Sequence, residues 1–228
     1  QTPTNQIDQL THNIPIYGLA SEEDLDLIHE KSLEVLSEIG IDFYYEEALE
    51  ILKEHGVRVE GETVYFTPEL IEKYVSKAPS EFTQLARNPE NNVTIGGNKM
   101  VFAPVYGPPF VYDLEGGRRE ATLEDFQNFI KLAYMSPYIH HSGGTIVEPT
   151  DEPSETRHLD MLYSHRKYSD KPFMGSVMSE ENAQDSVKMA EILFGAEEIR
   201  ENPALISLIN ISSPRRLDDR MLAALTVY

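Results

Sequence analysis

No cysteine occurs anywhere in the 228 residues, which excludes disulfides, thiolate zinc sites and a cysteine nucleophile. Basic residues are scarce as well: 19 Lys and Arg stand against 39 Asp and Glu, a formal net charge of -20. Nucleic acid is thereby excluded as a partner, because binding it requires a basic surface that releases counterions. The acidity itself reads as a solubility feature suited to a salty medium. No apolar run approaches the ~20 residues that span a bilayer, and the N-terminus lacks a basic region followed by an apolar one. These absences predict a soluble, cytoplasmic protein with no membrane contact.

What the chain does contain is a repeat. Three apolar runs, Tyr138 to Val147, Lys171 to Met178 and Ala204 to Ile211, have centres roughly 33 residues apart, about one strand-plus-helix unit of a parallel sheet. Between the first two, Pro153 suits a helix N1 position, and Glu155 to Lys167 carries Leu159, Leu162 and Tyr163 at helical spacing. Between the second and third, Ser179 caps a segment with Val187, Ala190 and Leu193 on one face, ending at Gly195. Such a βαβαβ run belongs to a barrel or to a doubly wound open sheet. In both, chemistry sits at the carboxyl ends of the strands.

Ahead of the repeat, residues 1–80 read as an N-terminal arm followed by a helical cap with a hairpin. The arm is Gln1 to Ala20. A helix follows from Ser21, with Asp24 as capping-box partner and a stripe of Leu25, Ile28, Ser32, Val35, Leu36 and Ile39 stopped by Gly40. Glu46 to His55 is a second helix, Val57–Val59 and Thr63–Phe66 a hairpin, and Thr67-Pro68-Glu69 the start of a third helix facing Leu70, Ile71, Tyr74 and Val75 inward. Residues 81–137 read as short antiparallel strands (Phe82–Ala86, Val93–Ile95, Met100–Ala103, Phe110–Asp113), then an entry helix from Thr122 that buries Phe126, Phe129, Ile130 and Ala133. Residues 138–228 hold the repeat and a last helix, Leu217 to Tyr228, with no stop signal. The chain is therefore expected to be the front part of a longer polypeptide.

Several short stretches carry a resemblance. His29-Glu30-Lys31-Ser32-Leu33 with Glu38-Ile39-Gly40-Ile41, Ala86-Arg87-Asn88-Pro89, Gly116-Gly117-Arg118-Arg119, Val147-Glu148-Pro149, Arg157-His158-Leu159-Asp160, Ser169-Asp170-Lys171-Pro172, and Asn210 before Ser213-Pro214 resemble, in order and spacing, the trimethylamine methyltransferase family. The resemblance runs from about residue 17 to the end. It implies a TIM-type (β/α)8 barrel with an N-terminal extension, of which only the first part is present. It also implies removal of a methyl group from a methylated amine or a betaine such as glycine betaine, with transfer to a cobalt(I) corrinoid (cobalamin) carried by a partner corrinoid protein. By the same resemblance, archaeal members using trimethylamine carry pyrrolysine in the later half, and relatives without it act on betaines. Association into a homo-oligomer is expected. Arg215-Arg216 depart from the pattern, where Leu is expected.

The implied chemistry limits which residues matter. Cobalt(I) is itself the nucleophile and a neutral amine leaves, so the protein supplies orientation, exclusion of water and a charge-matched pocket, and no catalytic residue is assigned. A quaternary ammonium donates no hydrogen bond and is held by aromatic faces and diffuse negative charge, while a substrate carboxylate needs donors. Glu148 and Asp151, just past the first strand, either face the substrate cation or cap the helix beginning at Pro153. His140 and His141 are neighbours on a strand, so only one can reach an interior; each is either a substrate contact or an ordinary buried histidine. With Glu148 they match no zinc signature. Asn210 ends the third strand and is the foremost candidate for a substrate or corrinoid contact, against a turn-forming Asn. Ser176 and Met178 end the second strand and line the same mouth. Gly143-Gly144 reads as close backbone packing, Arg157, His158, Asp160 and Ser169-Asp170-Lys171 as structural, and Tyr106 and Tyr134 as core, with an aromatic wall as the alternative. The competing function is a binding or corrinoid-protein-assembly module that transfers nothing.

Overall fold

The computed structural model describes residues 9–15 and 17–228, so part of the expected arm, residues 1–8 with Ile16, lies outside the described residues. In chain order the elements are β1 (Leu10–Thr11), α1 (Glu22–Glu34) continued by a π-helical turn, β2 (Ile41–Phe43), α2 (Glu46–Glu54), β3 (Arg58–Glu60), β4 (Thr63–Tyr65) and α3 (Pro68–Val75). Then come β5 (Glu81–Gln84), β6 (Val93–Gly96), β7 (Lys99–Met100), β8 (Phe110–Asp113), β9 (Gly117–Glu120), α4 (Leu123–Met135), α5 (Arg157–Tyr168), α6 (Glu180–Phe194), α7 (Ala196–Glu201), β10 (Arg216–Leu217) and α8 (Asp219–Val227). They sort into two compact units. One holds the described part of Gln1–His12 with Glu81–Val177 and Glu181–Leu208, the other Asn13–Ser80, Met178–Glu180 and Ile209–Tyr228.

The second of these units is built on a four-stranded sheet in the order β10-β2-β4-β3, parallel only between β10 and β2. Ala48, Leu217 and Leu222 form its buried core against Ile41, Phe43, Tyr45 and Ile209. Gly40, at φ 78, leads into β2, and a Cβ there would lie 2.7 Å from the Val64 carbonyl oxygen; no side chain fits. Arg215 donates to the carbonyls of Ile39 and Gly40, and the Arg216 guanidinium lies 4.7 Å from the Tyr44 ring centre. The two arginines at the departure from the family pattern thus hold this sheet together. α1 starts as expected, with Ser21 Oγ accepting from the Asp24 N–H at 3.2 Å and Asp24 Oδ2 accepting from the Ser21 N–H at 3.0 Å. Its apolar stripe is a different matter: α1 buries no residue, and Leu25, Ile28 and Ile39 are exposed, as are Tyr74 and Val75 of α3.

In the first unit, β5–β6 and β8–β9 are antiparallel hairpins. Arg119 clamps the second hairpin to the first turn of α4, donating to both Asp125 carboxylate oxygens at 2.6 and 2.8 Å and to Asp113 at 3.1 Å. These donors hold the Asp125 carboxyl far below the usual range. α4 buries Phe126, Ile130 and Ala133, while Phe129 is exposed, and its core cluster takes in Val111, Ala121, Ile146 and Val147. The fully buried Phe126 and Ile130 side chains each contribute ~1.5–3 kcal/mol by area removed from water.

The three repeated runs do lie side by side in parallel, but they are not regular strands. Ser142 N–H donates to Pro172 O at 2.8 Å and Met174 N–H to Gly143 O at 2.9 Å; Gly175 N–H donates to Ile206 O at 2.9 Å, beside a single parallel bridge between Met174 and Ile206. In a regular parallel ladder the residue that donates to Pro172 O would also accept from Met174 N–H; here the acceptor is Gly143, one residue beyond Ser142, so an extra residue on the first segment interrupts the ladder. Pro172 has no N–H, and Gly143 turns the backbone at φ 87. A further neighbour went unseen in the sequence. His140 N–H and His141 N–H donate to Phe102 O at 2.9 and 3.2 Å, Gly107 N–H to Thr145 O at 2.7 Å, and Glu148 N–H to Pro108 O at 2.9 Å. Residues 102–108 therefore run parallel to 140–148, where antiparallel pairing is expected from the turn residues. Pro104 and Pro108 mask the run by removing donors. The described residues thus make a mixed α/β architecture with helices, several small sheets and a parallel run of irregular segments. No helix among them is long and apolar enough to cross a membrane.

Candidate functional site

The parallel run has two faces, and α5 covers one. His165 of α5 accepts the Ser142 hydroxyl on Nδ1 at 2.7 Å and donates from Nε2 to Gly144 O at 2.9 Å, which defines its neutral tautomer. Its ring meets Phe126 edge-on at 5.3 Å and stacks on Phe173 at 6.1 Å. Burial pushes His165 down to about 4. The buried stripe of α5 is His158, Leu162 and His165, with Ser164; Leu159 and Tyr163, expected inward from apolar spacing, are exposed. The strands offer this helix a hydroxyl and a carbonyl, so its polar stripe faces in. The i, i+4, i+7 spacing of His158, Leu162 and His165 is the signal that could have found it.

His141 is bound at both ring nitrogens. Nδ1 accepts from the Gly143 N–H at 2.8 Å, and Nε2 donates to Gln84 Oε1 at 3.1 Å, while Gln84 donates onward to Phe173 O at 2.9 Å. Burial, then the neighbouring His165, holds His141 down to about 3. It links β5 to the two central segments. His140 is buried too: its Nδ1 accepts from the Phe102 N–H at 3.0 Å, its ring stacks on Phe102 at 5.8 Å, and its Nε2 has no partner among the described residues. Burial, with Lys171 nearby, lowers its pKa. Lys171 itself donates to the carbonyls of Ala133, Ser136 and Ile139 at 3.0, 3.1 and 2.5 Å, tying the end of α4 to the start of the second run. Burial brings it down to about 8, with Asp170 opposing.

At the carboxyl ends the expected site residues part company. Glu148 Oε1 accepts from Arg157 Nη1 at 3.0 Å, and Arg157 also donates to Pro149 O at 2.9 Å. Asp151 Oδ1 accepts from the Leu123 N–H at 2.8 Å, so it serves a helix start, that of α4 and not that of the helix after Pro153. Ser176 receives its own placement from α6, its N–H donating to Ser186 Oγ at 3.0 Å. Met178 and Asn210 are exposed and fall in the second unit, while Glu148, Asp151, His140, His141 and Ser176 fall in the first. Among the described residues no group of three His, Cys, Asp or Glu side chains is placed to hold a metal ion.

The side chains on the other face of the run point away from His165 of α5. Phe173 points at His165, so Met174, the next residue, points the opposite way. An ideal Cβ on Gly144 would come within 3.0 Å of Met174 Cβ and 2.9 Å of the Tyr106 ring at Cε2. Tyr106, expected in the core, is 46% exposed. What the described side chains on these faces supply is shape, apolar surface and fixed neutral donors.

Comparison with known proteins bears on what such a surface does. The sequence profile of the trimethylamine methyltransferase family matches residues 1–228. Over 216 residues the chain is 52% identical to a glycine betaine methyltransferase of Desulfitobacterium hafniense strain Y51, covering 94% of this chain and 45% of that protein. It is 30% identical over 205 residues to a proline betaine:corrinoid methyltransferase of Eubacterium limosum, covering 85% of this chain and 41% of the relative. An L-carnitine:corrinoid methyltransferase of the same organism is 31% identical over 157 residues, 67% of this chain and 31% of the relative. The chain spans less than half the length of each of these relatives.

Proposed function

The chain belongs to the trimethylamine methyltransferase family, and from that premise we propose that the full-length protein removes a methyl group from glycine betaine or a related methylated amine. The acceptor in this reading is a cobalt(I) corrinoid carried by a partner protein. The observation that carries it is the 52% identity to a glycine betaine methyltransferase, which runs through the whole parallel segment array. Residues 102–108, 140–148, 171–177 and 204–208 are proposed as the opening strands of a (β/α)8 barrel that the full-length chain closes, and self-association into a homo-oligomer belongs to the same proposal.

When bound, the corrinoid supplies the electron pair that takes the methyl group, while the C–N bond breaks with its own pair left on nitrogen. The residues of this chain need only bind, orient and keep water away. A neutral interior suits that role, because His141 and His165, held far below neutrality, add no positive charge that would repel an ammonium substrate. Glu148, steadied by Arg157, is proposed to face the substrate cation, with Ser176 lining the same mouth; Met178 and Asn210 are proposed as further substrate contacts, the Asn210 amide donating to a substrate carboxylate. His140, His141 and Asp151 are assigned to supporting this mouth, since their hydrogen bonds run to backbone and to Gln84.

Incubating the full-length protein with glycine betaine and reduced cobalamin is expected to yield the singly demethylated amine, with no product when the cobalamin is omitted. Absence of methyl loss across a panel of betaines and methylamines sinks the proposal. Calorimetric binding without any methyl loss would select the binding-module alternative instead.

A further inference from the structure

We propose that the ring of Tyr106 is the aromatic face that receives the methylated ammonium group, and that Gly144 is bare so that this ring can lie where it does. The inference rests on the functional reading above and adds to it the residue that selects the charge. Tyr106 sits in the 102–108 segment one residue before Gly107, whose N–H bonds to Thr145 O, so it lies just below the carboxyl ends at Pro108 and Glu148. Its ring edge approaches Gly144 so closely that a Cβ there would stand 2.9 Å from Cε2, and the same Cβ would stand 3.0 Å from Met174 Cβ. Contacts under 3.0 Å force a neighbour to move, so any side chain at 144 displaces the ring, Met174 or both. Tyr106 and Met174 share the face turned away from His165, and the ring is left 46% exposed although it is one of the larger apolar groups of the run.

The ring of Tyr106 also differs from several other tyrosines in the cation it lacks. The rings of Tyr44, Tyr65, Tyr74 and Tyr168 each carry an arginine or lysine over them, whereas among the described residues no such cation lies over Tyr106. A quaternary ammonium has no N–H to donate, so an aromatic face is the neutral group that attracts it most strongly. A flexible thioether, Met174, beside that face accommodates methyl groups of varied bulk.

The test uses the full-length protein and two ligands of the same shape, glycine betaine and 3,3-dimethylbutyrate, in which carbon replaces the charged nitrogen. Calorimetry is expected to show Tyr106→Leu weakening glycine betaine about 10-fold while 3,3-dimethylbutyrate changes less than about 3-fold, with Tyr106→Phe keeping both within about 3-fold. Gly144→Ala is expected to weaken both ligands together, since it moves the wall and leaves the ring chemistry intact. Should Tyr106→Leu unfold, as a thermal melt would report, a series of progressively fluorinated phenylalanines at 106 keeps the shape and drains the ring's negative face; betaine affinity is then expected to fall step by step. A flat fluorination series, or a Tyr106→Leu effect equal for both ligands, overturns this inference alone. A wild-type protein with no affinity for any quaternary ammonium overturns it together with the functional reading.

Discussion

The two faces of the parallel run obey one alternation and meet opposite fates. On the α5 face, Ser142, Phe173 and the Gly144 carbonyl are buried against His165 and Phe126. On the other, Tyr106 stays open beside a glycine and Met174. The first is stabilised by packing and paired donors, the second is left unfinished, and the difference separates residues that hold this unit together from residues available to a ligand.

Truncation should expose that difference most strongly. Phe126→Ala on the packed face is expected to cost about 3–5 kcal/mol in urea unfolding, because the ring is fully buried and His165 cannot fill its space. Tyr106→Leu on the open face should cost less than about 1 kcal/mol of stability, and a larger loss would place Tyr106 in the core after all.

Acid should come next. His141 and His165 have folded pKa values of about 3 and about 4 against an ordinary 6.5, so the unfolded chain takes up protons first as pH falls. Their stabilising contribution is therefore complete above pH 6.5 and declines as pH drops toward 4, by up to about 1.4 kcal/mol per pH unit for each ring. His165→Gln is expected to flatten that decline by about one proton, read from unfolding free energies at several pH values. An unchanged slope would mean that this imidazole does not stay neutral in the fold.

The smallest effects fall at the carboxyl ends. Asp151→Ala removes the acceptor of the Leu123 N–H and should cost about 1 kcal/mol with betaine affinity lowered no more than that loss of support explains; a large affinity loss at full stability would make Asp151 a direct substrate contact. Arg157→Met frees the partly exposed Glu148 and should cost below about 1 kcal/mol. Its sharper readout is the Michaelis constant, which should rise if Glu148 must be held in place to face the cation.

How far the sequence could be read varied with the range of the interaction. The starts of α1, α3 and α4 were legible at Ser21, Thr67 and Thr122 because each cap bonds a residue three positions on. The β3–β4 and β5–β6 hairpins were legible from turn residues for the same reason. The buried face of α5 was only partly legible, since apolar spacing pointed to Leu159, Leu162 and Tyr163 while the helix buries Leu162 together with His158, Ser164 and His165. The 102–108 neighbour was hidden by its prolines. Of the expected site residues, Glu148 does lie at a carboxyl end, whereas the roles of His141 and Asp151 follow from partners 57 and 28 residues away.

By itself, the sequence determined family, cap positions, turn positions and the periodicity of the parallel run, because each is carried by residue type or by bonds within a few positions. Tertiary structure alone decided which face of the run closed over His165 and which stayed open around Tyr106. A strand's alternation is symmetric, and only the element that packs against one side breaks that symmetry.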